Sequence, residues 1–160
     1  MNDINIRGKV ILKHKDYNDS VLILKRPAYD SYEPIGGKLE IDFENQESET
    51  IEDCIRRECL EEVGLNIENL TYLGSYHYFF EKICQYNFCL LYTAFITSSL
   101  EHLKKEDGFG KCLTISEWVL ITDLLSNDRV KFNPNHLGLK VLIEKFCSQQ
   151  YNQNLSTLKN

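Results

Sequence analysis

No stretch of this sequence is long and apolar enough to cross a bilayer. The first residues, MNDINIRGKV, also lack the layout of a secretory leader. A cytoplasmic protein without a membrane role is expected on both counts. Positive charge is in short supply: 18 Lys and Arg against 24 Asp and Glu leave a net charge of −6. That balance argues against general nucleic-acid binding, which needs a basic stripe. Phosphate substrates stay open, because metal ions can neutralise an acidic site locally. Proline numbers only three, and no repeat or Pro/Gly/Ser-rich linker splits the 160 residues. One domain over residues 1–148 is expected, with a polar, frayed tail at 149–160.

Cysteine is not scarce, at six residues, but its settings do not suggest disulfides. Cys54 and Cys59 sit in a helical pattern, while Cys84, Cys89 and Cys147 have apolar neighbours. They read as small buried hydrophobes in a reducing compartment. Cys84 and Cys89 have no second Cys or His pair nearby, so no zinc site is expected there.

Periodicity predicts the elements. Gly8 to His14 and Val21 to Lys25 read as a hairpin, and Tyr29 to Pro34 as a loop leading to Gly36-Gly37. A helix is expected over residues 48–63, buried through Ile51, Ile55 and Cys59, with Ser48 or Thr50 as cap. Leu70 to Phe80 and Gln85 to Thr97 read as long antiparallel strands, and Glu101 to Gly110 as a surface loop. Cys112 to Ile121 reads as a further strand, followed by a short helix near Thr122 to Leu125. A last helix carries Leu137, Val141, Leu142, Ile143 and Phe146 on its apolar face. Strands on either side of one helix, with a second helix at the end, predict an α/β fold whose mixed β-sheet is covered on both faces.

Within Gly36 to Leu65, GGKLEIDFENQESETIEDCIRRECLEEVGL, three carboxylates fall in five residues. On a helix, Glu58 lies three and four residues from Glu61 and Glu62, so all three share one side. Like charges at that spacing repel, and a divalent cation that takes oxygen ligands would compensate them. Arg57 adds a guanidinium able to hold a carboxylate in a bidentate grip, and Gly64 is suited to end the helix.

The stretch resembles the Nudix box: glycine, a spacer, Glu49, seven residues, then Arg57-Glu58-Cys59-Leu60-Glu61-Glu62-Val63-Gly64-Leu65. One departure stands out. The spacer from Gly37 to Glu49 is five residues in the family and eleven here, which reads as a six-residue loop insertion, Ile41 to Gln46.

The resemblance implies a three-layer α/β/α sandwich and hydrolysis of a phosphoanhydride in a nucleoside diphosphate linked to a group X. It implies Mg²⁺ as cofactor, with Mn²⁺ as a substitute. Glu58, Glu61, Glu62 and the Gly36 carbonyl are the implied metal ligands, Glu58 or Glu62 the base, and Arg57 with Glu49 the orienting pair. Glu106, beside Asp107, is the candidate for a further catalytic carboxylate. Tyr32, Lys38, Tyr76 and Trp118 are candidates to contact a small-molecule nucleotide. A nucleoside triphosphate is the leading substrate, with dinucleoside polyphosphates and ADP-ribose or other sugar nucleotides as competitors. A non-catalytic nucleotide-binding regulator is the alternative of another class, and homodimerisation stays open.

Overall fold

Side chains alternate along the first strand, and each row builds a different core. In the computed structural model, which describes residues 3–42, 44–45 and 47–157, β1 (Asp3–Lys13) turns Val10 and Leu12 to one side and Ile11 to the other. There follow β2 (Ser20–Arg26), β3 (Ser31–Glu33), β4 (Ile41–Asp42), β5 (Glu47–Ser48) and α1 (Ile51–Val63). The chain continues through β6 (Ile67–Phe80), β7 (Gln85–Ile96), β8 (Glu106–Asp107), β9 (Thr114–Leu120) and α2 (Leu139–Thr157).

The main sheet is ordered β6-β7-β1-β2-β9-β8, with β3 joined to β2. β1 runs parallel to β7 and antiparallel to β2, so the sheet is mixed. Helix α1 packs Ile55, Cys59 and Val63 against Val10, Leu12, Leu22 and Leu24. Helix α2 packs Leu139, Leu142, Ile143 and Phe146 against Ile11, Val21, Ile23 and Leu91. The expected three-layer sandwich is the observed architecture.

Local chemistry explains why α1 lies where it does. The Thr50 hydroxyl caps it, accepting from the Asp53 N–H at 3.1 Å, and Glu52 and Asp53 put negative charge in the first turn. Gly64, at φ 72°, closes it in the left-handed region. Ile55 and Cys59, four residues apart, are fully buried. A Cβ on Gly8 of β1 would stand only 2.7 Å from Ile55 Cγ1, so a glycine there lets the helix lie close on the sheet. That close approach matters because Gly8 N–H donates to the Gly37 carbonyl at 3.1 Å, tying the glycine turn to the same strand.

Several boundaries differ from expectation. The insertion is not a plain loop: Ile41 and Asp42 pair with Ser48 and Glu47 in a small separate ribbon, although Phe43 and Gln46 lie outside the described residues. Ser31–Glu33, read as loop, is a short strand on β2. Within the expected surface loop, Glu106 and Asp107 pair with β9. Over 149–157 the expected frayed tail is helical, α2 running on to Thr157, while 158–160 lie outside the described residues. On that helix and its approach Val141 and Leu137 are 65% and 57% exposed, and Leu139 takes the core position instead. The cysteines are free, but Cys84 is exposed rather than buried.

Candidate active site

Arg57 is the hub of the acidic ridge. Its Nε and Nη2 grip Glu49 at 3.1 and 2.7 Å, a bidentate pair reaching from the chain just before α1. Its Nη1 donates to Glu58 Oε1 at 3.0 Å and to Glu61 Oε2 at 3.2 Å, and Nη2 also donates to the Lys38 carbonyl at 3.1 Å. The bond to Glu49 raises the Arg57 pKa, although partial burial works against it, and the same bond holds the Glu49 carboxyl below its ordinary value. One guanidinium thus fixes three carboxylates and the loop after Gly37 in a single arrangement.

The glycine turn is shaped around this ridge. A Cβ on Gly37 would collide with the Glu58 carboxylate, and one on Gly36, at φ 126°, would collide with the Gly8 carbonyl. Gly36 N–H donates to Glu62 Oε2 at 2.8 Å. Burial pushes the Glu62 carboxyl up to about 7, against the pull of Lys9 and of that hydrogen bond. Lys9, 5% exposed, donates through Nζ to the Gly36 carbonyl and, at 3.4 Å, to the Pro34 carbonyl.

A cavity of about 560 Å³ opens in front of the turn. Its wall includes Glu58 and Glu62 from α1, but Glu61 is absent from it. Arg7 and Lys9 of β1, Arg26 of β2, Glu33 of β3 and Asn87 of β7 also line it. Glu33 Oε1 lies 2.8 Å from Arg26 Nη2, a close ion pair. Burial disfavours charge on Glu33, but Lys9 and Arg26 outweigh it and keep the carboxyl below its ordinary value. Tyr78, Phe80 and Ile83 form a more apolar side, where Tyr78 stacks on His136 at 4.3 Å. Burial lowers the His136 pKa to about 4, so its ring is neutral at pH 7.

Of the residues picked from the sequence, Gly36, Lys38, Glu58, Glu62 and Tyr32 line this cavity, and Arg57 and Glu49 brace it from behind. Two picks are corrected. Tyr76 is 1% exposed in the core under α2, because its position on β6 points it inward. Trp118 packs on the α1 face and stacks on Tyr17 at 4.6 Å, away from the cavity. Glu61, 58% exposed at its side chain, stands on the outer flank of the ridge. Glu106 is exposed on β8, which packs beside α1, and lies outside the cavity wall. Arg7, Lys9, Arg26, Glu33, Asn87 and Asn133 were not singled out. For Arg7 and Lys9 a signal existed: charged residues at alternate positions of a strand whose other row is apolar.

The donor set suits a hard divalent cation: carboxylates on one helix side, a nearby glycine carbonyl, and a buried carboxyl that Lys9 and the Gly36 N–H do not fully offset. Glu58 and Glu61 turn toward Arg57 here, so among the described residues no three acidic, His or Cys side chains converge closely enough to hold an ion.

Known proteins resemble most of the chain. The model of the NUDIX domain matches residues 9–138. No curated protein matches the sequence. Among solved structures, the chain is similar to the MutT mutator protein of Bacillus halodurans, at 21% identity and TM-score 0.66, over 89% of this chain and 82% of that one. It is also similar to a MutT NUDIX hydrolase from Burkholderia pseudomallei, at 16% identity and TM-score 0.62, over 89% and 97% of the two chains. A NUDIX hydrolase from Nitrosomonas europaea aligns at 16% identity and TM-score 0.59, over 95% and 90%. At these identities the likeness is one of fold.

Proposed function

This chain belongs to the NUDIX domain family, and from that premise we propose that it is a divalent-metal-dependent pyrophosphohydrolase whose leading substrate is a nucleoside triphosphate. The observation that carries the reading is the Arg57-braced ridge, which presents Glu58 and Glu62 to a cavity also lined by Arg7, Lys9 and Arg26. A phosphoanhydride has negative charge on both sides of the bond that breaks, so the site must neutralise charge while directing a water.

Glu58, Glu61, Glu62 and the Gly36 carbonyl would hold Mg²⁺, which when bound polarises phosphoryl oxygens and acidifies water. The rest falls to the chain itself. Arg57 and Glu49 set the direction of the ridge carboxylates. Glu58 and Glu62, the ridge carboxylates on the cavity wall, are the candidates to take the proton of the attacking water. Arg26 and Lys9 face the phosphate chain, and Tyr78, Phe80 and Ile83 offer the nucleoside a flat, less polar side.

A second reading, nucleotide binding without turnover, draws on one observation: the Lys9 ammonium already occupies the Gly36 carbonyl. One experiment separates the two. Purified protein with Mg²⁺ is offered a panel of nucleoside triphosphates, dinucleoside polyphosphates and sugar nucleotides, and released phosphate and pyrophosphate are measured. The hydrolase reading expects turnover of a triphosphate that Glu58→Gln reduces at least a hundredfold. Tight binding with no turnover of any member of the panel would refute it.

A further inference from the structure

Arg7 is the cationic fork in this cavity that has no acid to answer it. Arg26 is paired with Glu33 at 2.8 Å, and Arg57 lies among Glu40, Glu49, Glu58 and Glu61. Arg7 makes one side-chain bond, from Nε to Asn87 Oδ1 at 2.9 Å, and joins no ion pair among the described residues. A guanidinium has five N–H donors and no acceptor, so the amide of Asn87 must turn its oxygen to it, and four donors remain. Asn87 is 1% exposed and buried in β7, so the anchor is rigid and the planar fork is held in one orientation on the cavity wall. A fixed, unneutralised fork of this kind is a bidentate receptor for phosphate or carboxylate oxygens.

Its place in the fold says which oxygens. The Arg7 backbone bridges to Lys38, and the next residue, Gly8, is bonded to Gly37, so the fork starts beside the turn that cradles Glu58. Lys9, two residues on and on the same row of β1, adds a second cation whose two bonds go to neutral carbonyls. We propose that Arg7, supported by Lys9, binds the terminal phosphate of a nucleoside triphosphate, so that the group X carried on the nucleoside diphosphate is itself a phosphate and not a neutral sugar. The substrate part rests on the hydrolase reading above. The anion site does not. A sugar hydroxyl can accept one hydrogen bond but leaves the Arg7 charge unanswered, whereas a phosphate satisfies both charge and fork geometry.

The test has two arms. Metal-free protein in EDTA is titrated calorimetrically with inorganic triphosphate, and turnover of a nucleoside triphosphate and of a nucleotide sugar is compared with Mg²⁺ present. Arg7→Gln should weaken triphosphate binding by on the order of ten- to a hundredfold, with Arg7→Lys in between because it keeps charge but loses the fork. The same variant should raise KM for the nucleoside triphosphate far more than it lowers kcat, and leave KM for the nucleotide sugar within about twofold. Absence of triphosphate binding by the metal-free wild type would overturn the proposal. So would equal binding by a folded Arg7→Gln, or an equal KM increase for both substrates. If the wild type hydrolyses nothing while Arg7→Gln still loses triphosphate binding, the anion site stands and the hydrolase reading falls.

Discussion

Replacing Glu62 by glutamine should make the metal-free protein more stable while destroying its function. Burial raises this carboxyl from its ordinary 4.5 to about 7. The folded state therefore holds a proton, between pH 4.5 and 7, that the unfolded chain has released. Stability contributed by that proton is fully present at low pH and is lost as pH rises through about 7. At about 1.4 kcal/mol per pH unit, the charged side chain costs the folded state about 3 kcal/mol at pH 8. Glutamine keeps the shape and an oxygen for the Gly36 N–H but carries no charge. In EDTA, urea unfolding should show Glu62→Gln more stable than wild type by about 3 kcal/mol at pH 8 and by about 1 kcal/mol at pH 5. Added Mg²⁺ should narrow that gap by stabilising only the wild type. Stability differences that stay constant from pH 5 to pH 8 would refute the reasoning, since no buried charge would then be released by the substitution.

Other substitutions probe the parts around it. Arg57→Met leaves Glu49, Glu58 and Glu61 without their common partner and should cost about 2–4 kcal/mol in urea unfolding and most of the turnover. Near-wild-type stability would show that the hub carries little. Gly37→Ala drives a methyl into the Glu58 carboxylate; turnover should drop at least a hundredfold with the melting temperature changed by only a few degrees, and unchanged kcat would contradict the cradle. Thr50→Ala removes the cap of α1 and should lower the urea midpoint by the equivalent of about 1 kcal/mol at unchanged slope. A change in slope instead would point to an altered unfolded state.

The ridge could be read from the chain because it is local. Glu58, Glu61 and Glu62 share a helix face through spacing alone, and Arg57 reaches Glu49 over barely two turns. The sandwich was equally legible, since Val10, Ile11 and Leu12 are apolar on both rows, as a doubly covered strand must be. The rest of the cavity wall was not. Arg7 meets Asn87 across 80 residues, and His136 reaches Tyr78 only through the pairing of Leu137 with His77. No periodicity encodes such meetings. Trp118 misled because an aromatic near a nucleotide site suggests stacking, while its register on β9 turns it toward Tyr17. The insertion paired into a ribbon too short to leave an alternating pattern.

The claim on which the rest depends is that the α1 carboxylates hold a divalent ion. Mn²⁺ titration followed by electron paramagnetic resonance tests it without any substrate. Wild type should deplete the free Mn²⁺ signal with a saturable site that Mg²⁺ displaces, and Glu58→Gln/Glu62→Gln should leave the signal untouched. Equal depletion by the folded double variant would place the ion elsewhere and contradict the account.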